Sequence, residues 1–177
     1  TGVHAGENGH NPIDFVRAQT PAGEALAIYS SAQALSAHRP GDRPMALDFR
    51  TIGLTALVET GGRIVVNPGT DAVLLPRPAV AALAQGDEWL PAWRDGSLRE
   101  LLLAEATAAC PAIVDIDIAY AGEGLTRVLV AVDRASFAQG ADASAMKETL
   151  SAALNAVGAN PRLIASADRV EIAPVLR

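Results

Sequence analysis

Short apolar runs separated by proline and glycine dominate the first half of this chain. The segment Thr20-Pro21-Ala22-Gly23 divides two such runs and predicts a β-hairpin, because proline fixes φ at the second turn position. Ser30 and Ser31 predict a helix start, since a serine oxygen accepts hydrogen bonds from the first free amides. In chain order we expect a hairpin over 15–29, a helix over 32–38, a strand over 45–49, a helix over 51–60, strands over 63–66 and 72–75, and a helix over 79–85 whose Val80 and Leu83 face inward.

Residues 61–77 carry the clearest local pattern, two apolar runs joined by Asn67-Pro68-Gly69-Thr70. Pro68 fixes φ and Gly69 supplies a positive φ, which predicts a type II turn in which Asn67 bonds its own downstream backbone. The runs are nearly continuous, so we expect strands covered on both faces. The preceding Thr60-Gly61-Gly62-Arg63 matches neither glycine-rich phosphate-loop pattern and follows a helix C-terminus, which repels anions. A phosphate site is therefore not expected here.

The second half predicts a helix, two strands, a helix and a closing strand region. Ser97 and Glu100 match a capping box at the start of a helix that Pro111 ends. Residues 113–120 alternate, which places Val114, Ile116, Ile118 and Tyr120 on one face and Asp115 and Asp117 on the other. The remaining expected elements are a strand over 127–133, a helix over 144–158 capped by Asp142 or Ser144, and strands over 162–166 and 170–175.

This order of elements predicts an α+β protein. Strands come in adjacent pairs rather than alternating strictly with helices, which favours two small lobes over one doubly wound sheet. Each lobe is expected to pack a mixed or antiparallel sheet against helices. We expect an irregular lead-in over 1–12, a first domain over 13–90, a junction over 91–97 and a second domain over 98–177.

Composition narrows the classes of partner. Half of the residues are hydrophobic and 19% are charged, which is normal for a soluble globular protein. The net charge of −6 and the scattered basic residues argue against nucleic acid or an anionic membrane as partner. The single Cys110 excludes an intramolecular disulfide and a cysteine zinc cage, and His4 and His10 lack a metal-binding spacing. We therefore expect neither a metal nor a cofactor.

Targeting signals are absent from the pattern of residues. No run approaches 18 consecutive apolar residues, and no basic segment followed by an apolar one marks a secretory signal at the start. The expected location is the cytoplasm. The chain begins at Thr1 rather than at methionine, which is compatible with a trimmed or processed protein.

Two groups of residues are candidates for ligand or partner binding. Trp89, Trp93 and Arg94 lie in the expected junction, where two tryptophans form either a binding surface or a plug between the lobes. The second group is Asp48 and Arg50, because the planar guanidinium of arginine can orient a ligand carboxylate. Surface pairing is the ordinary explanation for this second group.

No catalytic residue is predicted. Asp115 and Asp117 share one strand face, where two carboxylates could bind a divalent cation or act as acid and base. A solvated outer hairpin face has the same pattern, and neither histidine nor a third acid is near in sequence. We favour the solvated face.

Three segments of the first half resemble a known family. They are Ala-Ile-Tyr-Ser-Ser-Ala-Gln-Ala-Leu over 27–35, Val-Val-Asn-Pro-Gly over 65–69 and Val-Leu-Leu-Pro-Arg over 73–77. Together they resemble the N-terminal domain of the SseB family, named for an enhanced serine sensitivity phenotype, over about residues 13–90. Residues 98–177 are similar in layout to the C-terminal domain often attached to it. The chain departs from the family pattern with Tyr-Ser-Ser in place of Phe-Thr-Ser and with an insertion over 39–44.

The resemblance implies no catalytic residues, because the family brings none to carry over. We expect a non-enzymatic interaction or regulatory protein that binds a protein partner or itself, with a homodimer as the commonest form of self-association. The alternative is a sensor that binds an amino acid or another metabolite between the lobes near Trp89, Trp93 and Arg94. An unrecognised enzyme that uses Asp48, Asp115 or Asp117 is the third hypothesis.

Overall fold

Two sheets, each packed with helices, make up the computed structural model, which describes residues 15–138 and 143–177. The prediction of an α+β fold with two sheet-containing lobes is confirmed. The expected lead-in over 1–12 and the alternative helix cap Asp142 lie outside the described residues.

The first lobe contains a four-stranded sheet with the order β1-β2-β3-β4. The pairs β1–β2 and β3–β4 are antiparallel, whereas β2 and β3 are parallel and are joined by a helical crossover. The elements are β1 Arg17–Thr20, β2 Gly23–Ile28, α1 Ala32–His38, α2 Phe49–Glu59, β3 Ile64–Val66, β4 Val73–Leu75 and α3 Arg77–Gln85.

The second lobe contains a three-stranded sheet with the order β5-β6-β7. Here β5 and β6 form an antiparallel hairpin, and β7 returns through helices to pair in parallel with β6. The elements are α4 Gly96–Ala109, β5 Ile113–Tyr120, β6 Leu125–Val132, α5 Ala135–Ala138, α6 Ala143–Gly158, α7 Pro161–Ser166 and β7 Arg169–Leu176.

Each lobe has its own core. In the first lobe, Leu26 and Ile64 of the sheet pack with Ala56 of α2 and Val80 of α3. The helices α2 and α3 approach closely at Gly53, where an added Cβ would lie 2.7 Å from the Cβ of Ala84. In the second lobe, leucines of α4 and residues of α6 and α7 pack on one face of β5 and β6; the fully buried side chains include Leu98, Leu102, Ile116, Val128, Val130, Val157 and Leu163.

The expected strand over 45–49 is wrong. Residues 43–48 have no regular secondary structure, and α2 begins directly after them. Asp48 is the N-cap of α2, and its side chain accepts a 2.9 Å hydrogen bond from the amide of Thr51. The acidic residue therefore marks a helix start, which the apolar pattern around it concealed.

The expected strand over 162–166 is also wrong, because this segment is the helix α7. Asn160 caps it by accepting from the amides of Arg162 and Leu163, and Pro161 occupies the first turn, where its missing amide costs nothing. The predicted capping box at Ser97 does not mark the start of α4 either. Asp95 caps α4 by accepting from the amide of Leu98, so the helix begins earlier than predicted.

The burial pattern differs from the prediction at three places. A register shift between Ile113 and Asp115 turns Val114 out to solvent and buries Ile113 in its place. Val73 of β4, at the edge of the first sheet, is exposed, so this strand is not covered on both faces as predicted. Leu83, predicted to face inward, is also substantially exposed.

Ionic contacts join the lobes. The guanidinium of Arg63 in the first lobe donates two hydrogen bonds to Asp168, which directly precedes β7, at 2.6 and 3.0 Å. A second guanidinium, that of Arg77, lies 3.3 Å from the same carboxylate. Nearby, an added Cβ at Gly124 in the β5–β6 turn would lie 3.1 Å from Leu74 of β4. This interlobe clamp, Arg63, Arg77 and Asp168, positions the two sheets.

Candidate functional site

An aromatic group lies where the chain passes from the first lobe to the second. The rings of Trp89 and Trp93 meet edge to face, with centroids 5.7 Å apart and an angle of 83°. The ring of Trp93 also contacts Tyr120 of β5 at 4.9 Å and 39°. We call Trp89, Leu90, Trp93 and Tyr120 the aromatic junction.

Local chain signals place the tryptophans. The helix α3 ends at Gly86, whose left-handed backbone (φ 82°) only glycine adopts without strain. Pro91 then starts a 3₁₀ turn, Ala92–Arg94, and Asp95 starts α4. Because Ala92 is buried and Trp93 packs on the core of the second lobe, this turn is fixed to that lobe. Trp93 therefore packs on the second lobe, and the choice between a binding surface and a plug between the lobes stays a prediction.

The outer part of the aromatic junction is open to solvent. Leu90 is 55% exposed and Tyr120 is 48% exposed. The indole nitrogen of Trp89 is buried and has no hydrogen-bond partner among the described residues. A buried donor without a partner costs on the order of 1–3 kcal/mol. The local arrangement is thus less than fully satisfied in the isolated chain.

Arg94 and Asp95 follow the aromatic residues and differ in their environment. The side chain of Arg94 is exposed and makes no ion pair within residues 15–138 and 143–177. The hydroxyl of Ser97 and the amide of Leu98 both donate to Asp95 and lower the pKa of its carboxyl. Arg162 of α7 also binds Asp95, at 3.0 Å. Asp95 is therefore structural, whereas Arg94 has no such contacts among the described residues.

The second predicted group, Asp48 and Arg50, lies at the start of α2 in the first lobe. Hydrogen bonds from the hydroxyl and amide of Thr51 lower the pKa of Asp48, which is occupied as a helix cap. Arg50 is exposed in the first turn. No hydrogen bond or ring contact joins either residue to the aromatic junction in the described part of the chain.

The two aspartates of β5 have separate environments. Asp115 accepts from Arg99 of α4 at 2.5 Å and from Arg177 at 2.8 Å. Burial raises the pKa of Asp115, but the hydrogen bonds from Arg177 and its own neighbouring amide, with the charge of Arg99, outweigh it, so the net pKa lies below the ordinary value. Asp117 is exposed. The carboxylate best placed for chemistry is therefore already held by two arginines.

The structure also gathers polar groups that the sequence did not connect. At the carboxyl ends of β2 and β3, the amide of Ser30 donates to the side-chain oxygen of Asn67 at 2.9 Å, and their side chains bond again at 3.0 Å. Asn67 is left-handed (φ 52°), so its side chain joins two strands rather than its own downstream turn. Tyr29 and His38 bond beside this pair at 2.9 Å. Two of the segments that carry the family resemblance are thus in direct contact.

The rest of the described residues offer few groups suited to chemistry. No group of three or more His, Cys, Asp and Glu side chains within them is placed to hold a metal ion. Among the same residues, none of the helices is both long and apolar enough to cross a membrane. A shallow depression of about 510 Å³ lies on exposed polar residues of α6, and its lining is Ser144, Lys147, Glu148, Ser151, Ala152 and Asn155.

Fold and site together define a two-lobed α+β protein with an aromatic junction between the lobes. Residues 3–82 match the family model described as the SseB protein N-terminal domain. This match covers the first lobe except the end of α3 and supports the resemblance noted for that part of the chain. The family model does not extend to the second lobe, whose expected SseB C-terminal-like character stays a prediction. No curated protein and no solved structure matches this chain.

Proposed function

We propose that this protein is a non-enzymatic interaction protein that binds a protein partner through the aromatic junction. The observation that carries the proposal is the exposed surface of Leu90 and Tyr120 beside the packed rings of Trp89 and Trp93. Binding hot spots are rich in tryptophan, tyrosine and arginine, and Arg94 adds an unpaired cation at this place. A partner that covered Leu90 and Tyr120 would remove this exposed apolar surface from water.

The occupied carboxylates support binding over catalysis. Asp48 and Asp95 cap helices, and Asp115 is held by two arginines. A general acid or base needs a free position within hydrogen-bond reach of a substrate. Leu90 of the aromatic junction, in contrast, is exposed and does not belong to the hydrophobic cores of the described residues.

The proposal is tested by a photo-crosslinking amino acid placed at position 90, with the same residue at position 170 as the matched control. Val170 is also exposed but lies on β7. We expect discrete crosslinked species from position 90, to another copy or to a second protein, and their loss when Trp89→Ala is added. Light scattering of the purified protein distinguishes self-association from a different partner.

Two results would contradict the proposal. Equal crosslinking from positions 90 and 170 would show that the aromatic junction is not a preferred surface. Stabilisation by an amino acid or nucleotide in a thermal-shift screen, without any crosslinked species, would instead favour a metabolite sensor, because a ligand of the native state raises stability.

A further inference from the structure

The backbone just before the 3₁₀ turn is unpaired over three consecutive residues. The amide of Asp87 still donates to Ala82 of α3, and the amide of Arg94 donates to Pro91. Between these bonds, none of the amides and carbonyls of Glu88, Trp89 and Leu90 bonds to another described residue. Backbone polar groups are strong donors and acceptors, so such a segment is open to pairing.

The proline that follows this segment favours an extended backbone at Leu90. Pro91 has φ −66° and ψ 145°, and the residue before a proline is restricted to extended conformations. Glu88, Trp89 and Leu90 lie outside any helix or sheet. Peptides that add to an exposed extended edge gain affinity from backbone hydrogen bonds and specificity from alternate side chains.

The neighbouring side chains indicate the composition of that peptide. Leu90 and Tyr120 offer an exposed apolar surface beside Trp89. Asp87 and Glu88 are exposed and have no ion pair in the described part of the chain. Ahead of Trp89, these two exposed carboxylates favour lysine or arginine, which gain from both the ion pair and the ring face. The exposed cation of Arg94 follows Pro91, outside residues 88–90, so the basic partner residues are expected opposite Asp87 and Glu88.

We propose that residues 88–90 are a docking edge for an extended segment of another protein in which basic and aliphatic residues alternate. This inference rests on the proposed function and names its partner class. A second copy of the chain fits less well, because two copies would bring Asp87 and Glu88 into mutual repulsion in a protein of net charge −6. The aliphatic residues cover Leu90, and the basic residues face the acids.

A defined probe tests the proposal. The probe is an acetylated and amidated hexapeptide in which lysine and valine alternate, titrated while tryptophan emission is recorded. Both tryptophans of the chain, Trp89 and Trp93, lie in the aromatic junction, so the emission reports this place. We expect saturable binding, at least tenfold weaker binding of the glutamate-valine peptide, and at least tenfold weaker binding of a lysine-valine peptide N-methylated at alternate amides.

Charge-reversal variants complete the test. The double variant Asp87→Lys with Glu88→Lys should reverse the preference in favour of the glutamate-valine peptide. Asp117→Lys with Glu171→Lys makes the same charge change on the second sheet and should leave the preference unchanged. Circular dichroism confirms that each variant folds.

Failure of this inference is distinguishable from failure of the proposed function. Equal binding of the methylated and unmethylated peptides, or no binding of the lysine peptide at millimolar concentration, would overturn the docking edge. Crosslinking from position 90 would still support a protein partner in that case. The absence of both peptide binding and crosslinking would reject the two proposals together.

Discussion

Replacing Asp168 by asparagine removes the negative charge that holds the two lobes together. The side chain of Asp168 is 4% exposed, and that of Arg63 is 18% exposed. Arg63 binds both carboxylate oxygens, at 2.6 and 3.0 Å, whereas the half-exposed Arg77 lies farther away at 3.3 Å. The substitution preserves the shape of the side chain and leaves two arginines without their anion.

The expected loss of stability follows from this burial. Breaking a buried ion pair costs about 3–5 kcal/mol, because the remaining charge stays desolvated. Arg63 keeps some contact with water, so we expect the lower end, about 3 kcal/mol. With a urea m-value of about 2 kcal/mol per molar, the unfolding midpoint should fall by about 1.5 M.

Urea unfolding followed by circular dichroism measures this change, and tryptophan emission reports the junction in the same samples. The matched control is Glu171→Gln, which breaks the exposed pair of Glu171 and Arg127. Exposed pairs contribute at most about 1 kcal/mol, so the control should move the midpoint by less than about 0.5 M. A double-mutant cycle with Arg63→Met isolates the energy of the pair itself.

The reasoning is refuted if Asp168→Asn costs no more than Glu171→Gln. It is also refuted if the effects of Asp168→Asn and Arg63→Met add within about 0.5 kcal/mol, because residues in direct contact should be coupled. Either result would mean that water or a rearrangement of the lobes replaces the interlobe clamp without a loss of folding stability.

Three further predictions concern packing, backbone conformation and pH. Gly53→Ala should destabilise the protein by about 1–3 kcal/mol in thermal unfolding despite its better helix propensity, because the added methyl clashes with α3, whereas Gly96→Ala, which has open space, should cause no loss. Asn67→Ala should cost about 1 kcal/mol more than Asn67→Gly, since alanine resists the left-handed backbone; equal melting temperatures would contradict this. Asp95 and Asp115 have lowered pKa values in the folded state, so their stabilisation is present above the ordinary value of about 3.9 and is lost as the pH falls through the lowered value. Asp95→Asn should therefore flatten the acid limb of the stability–pH curve, and an unchanged limb would exclude this contribution.

Capping residues, prolines and glycines correctly predicted the elements whose ends are fixed by hydrogen bonds between residues a few positions apart. The helix α1 has the predicted bounds, because Ser31 caps it through the amide of Ala34 three residues on. The helix α3 ends where predicted, at Gly86, but it begins at Arg77, two residues before the predicted start at 79. The turn at Asn67-Pro68-Gly69-Thr70 also forms, with the amide of Thr70 bonded to the carbonyl of Asn67 at 3.3 Å.

The wrong predictions of secondary structure arose where a helix-capping residue lies next to apolar residues that are also typical of a strand. Leu163 and Ile164 suggested a strand, but Asn160 and Pro161 start a helix there, and this signal was present in the sequence. Asp48 gave a similar signal before α2. The exposure of Val114 could not be predicted, because a register shift depends on the partner strand.

The candidate site was predicted in position but not in geometry. Trp89, Trp93 and Arg94 are close in sequence, so their grouping needed no tertiary information. Tyr120 joins them only because β5 passes beside the 3₁₀ turn. Likewise, only the fold leaves the backbone of residues 88–90 without hydrogen bonds to other described residues.

The sequence by itself determined the α+β class, the main turns and most of the helices, with α7 as an exception, since capping and alternation act between residues a few positions apart. Only the tertiary structure decided which strands pair and which charges meet. Ser30 contacts Asn67 across 37 positions, and Arg63 contacts Asp168 across 105. Such contacts depend on the tertiary fold of the whole chain. The residues next to one partner in the sequence therefore do not indicate which residue the other partner is.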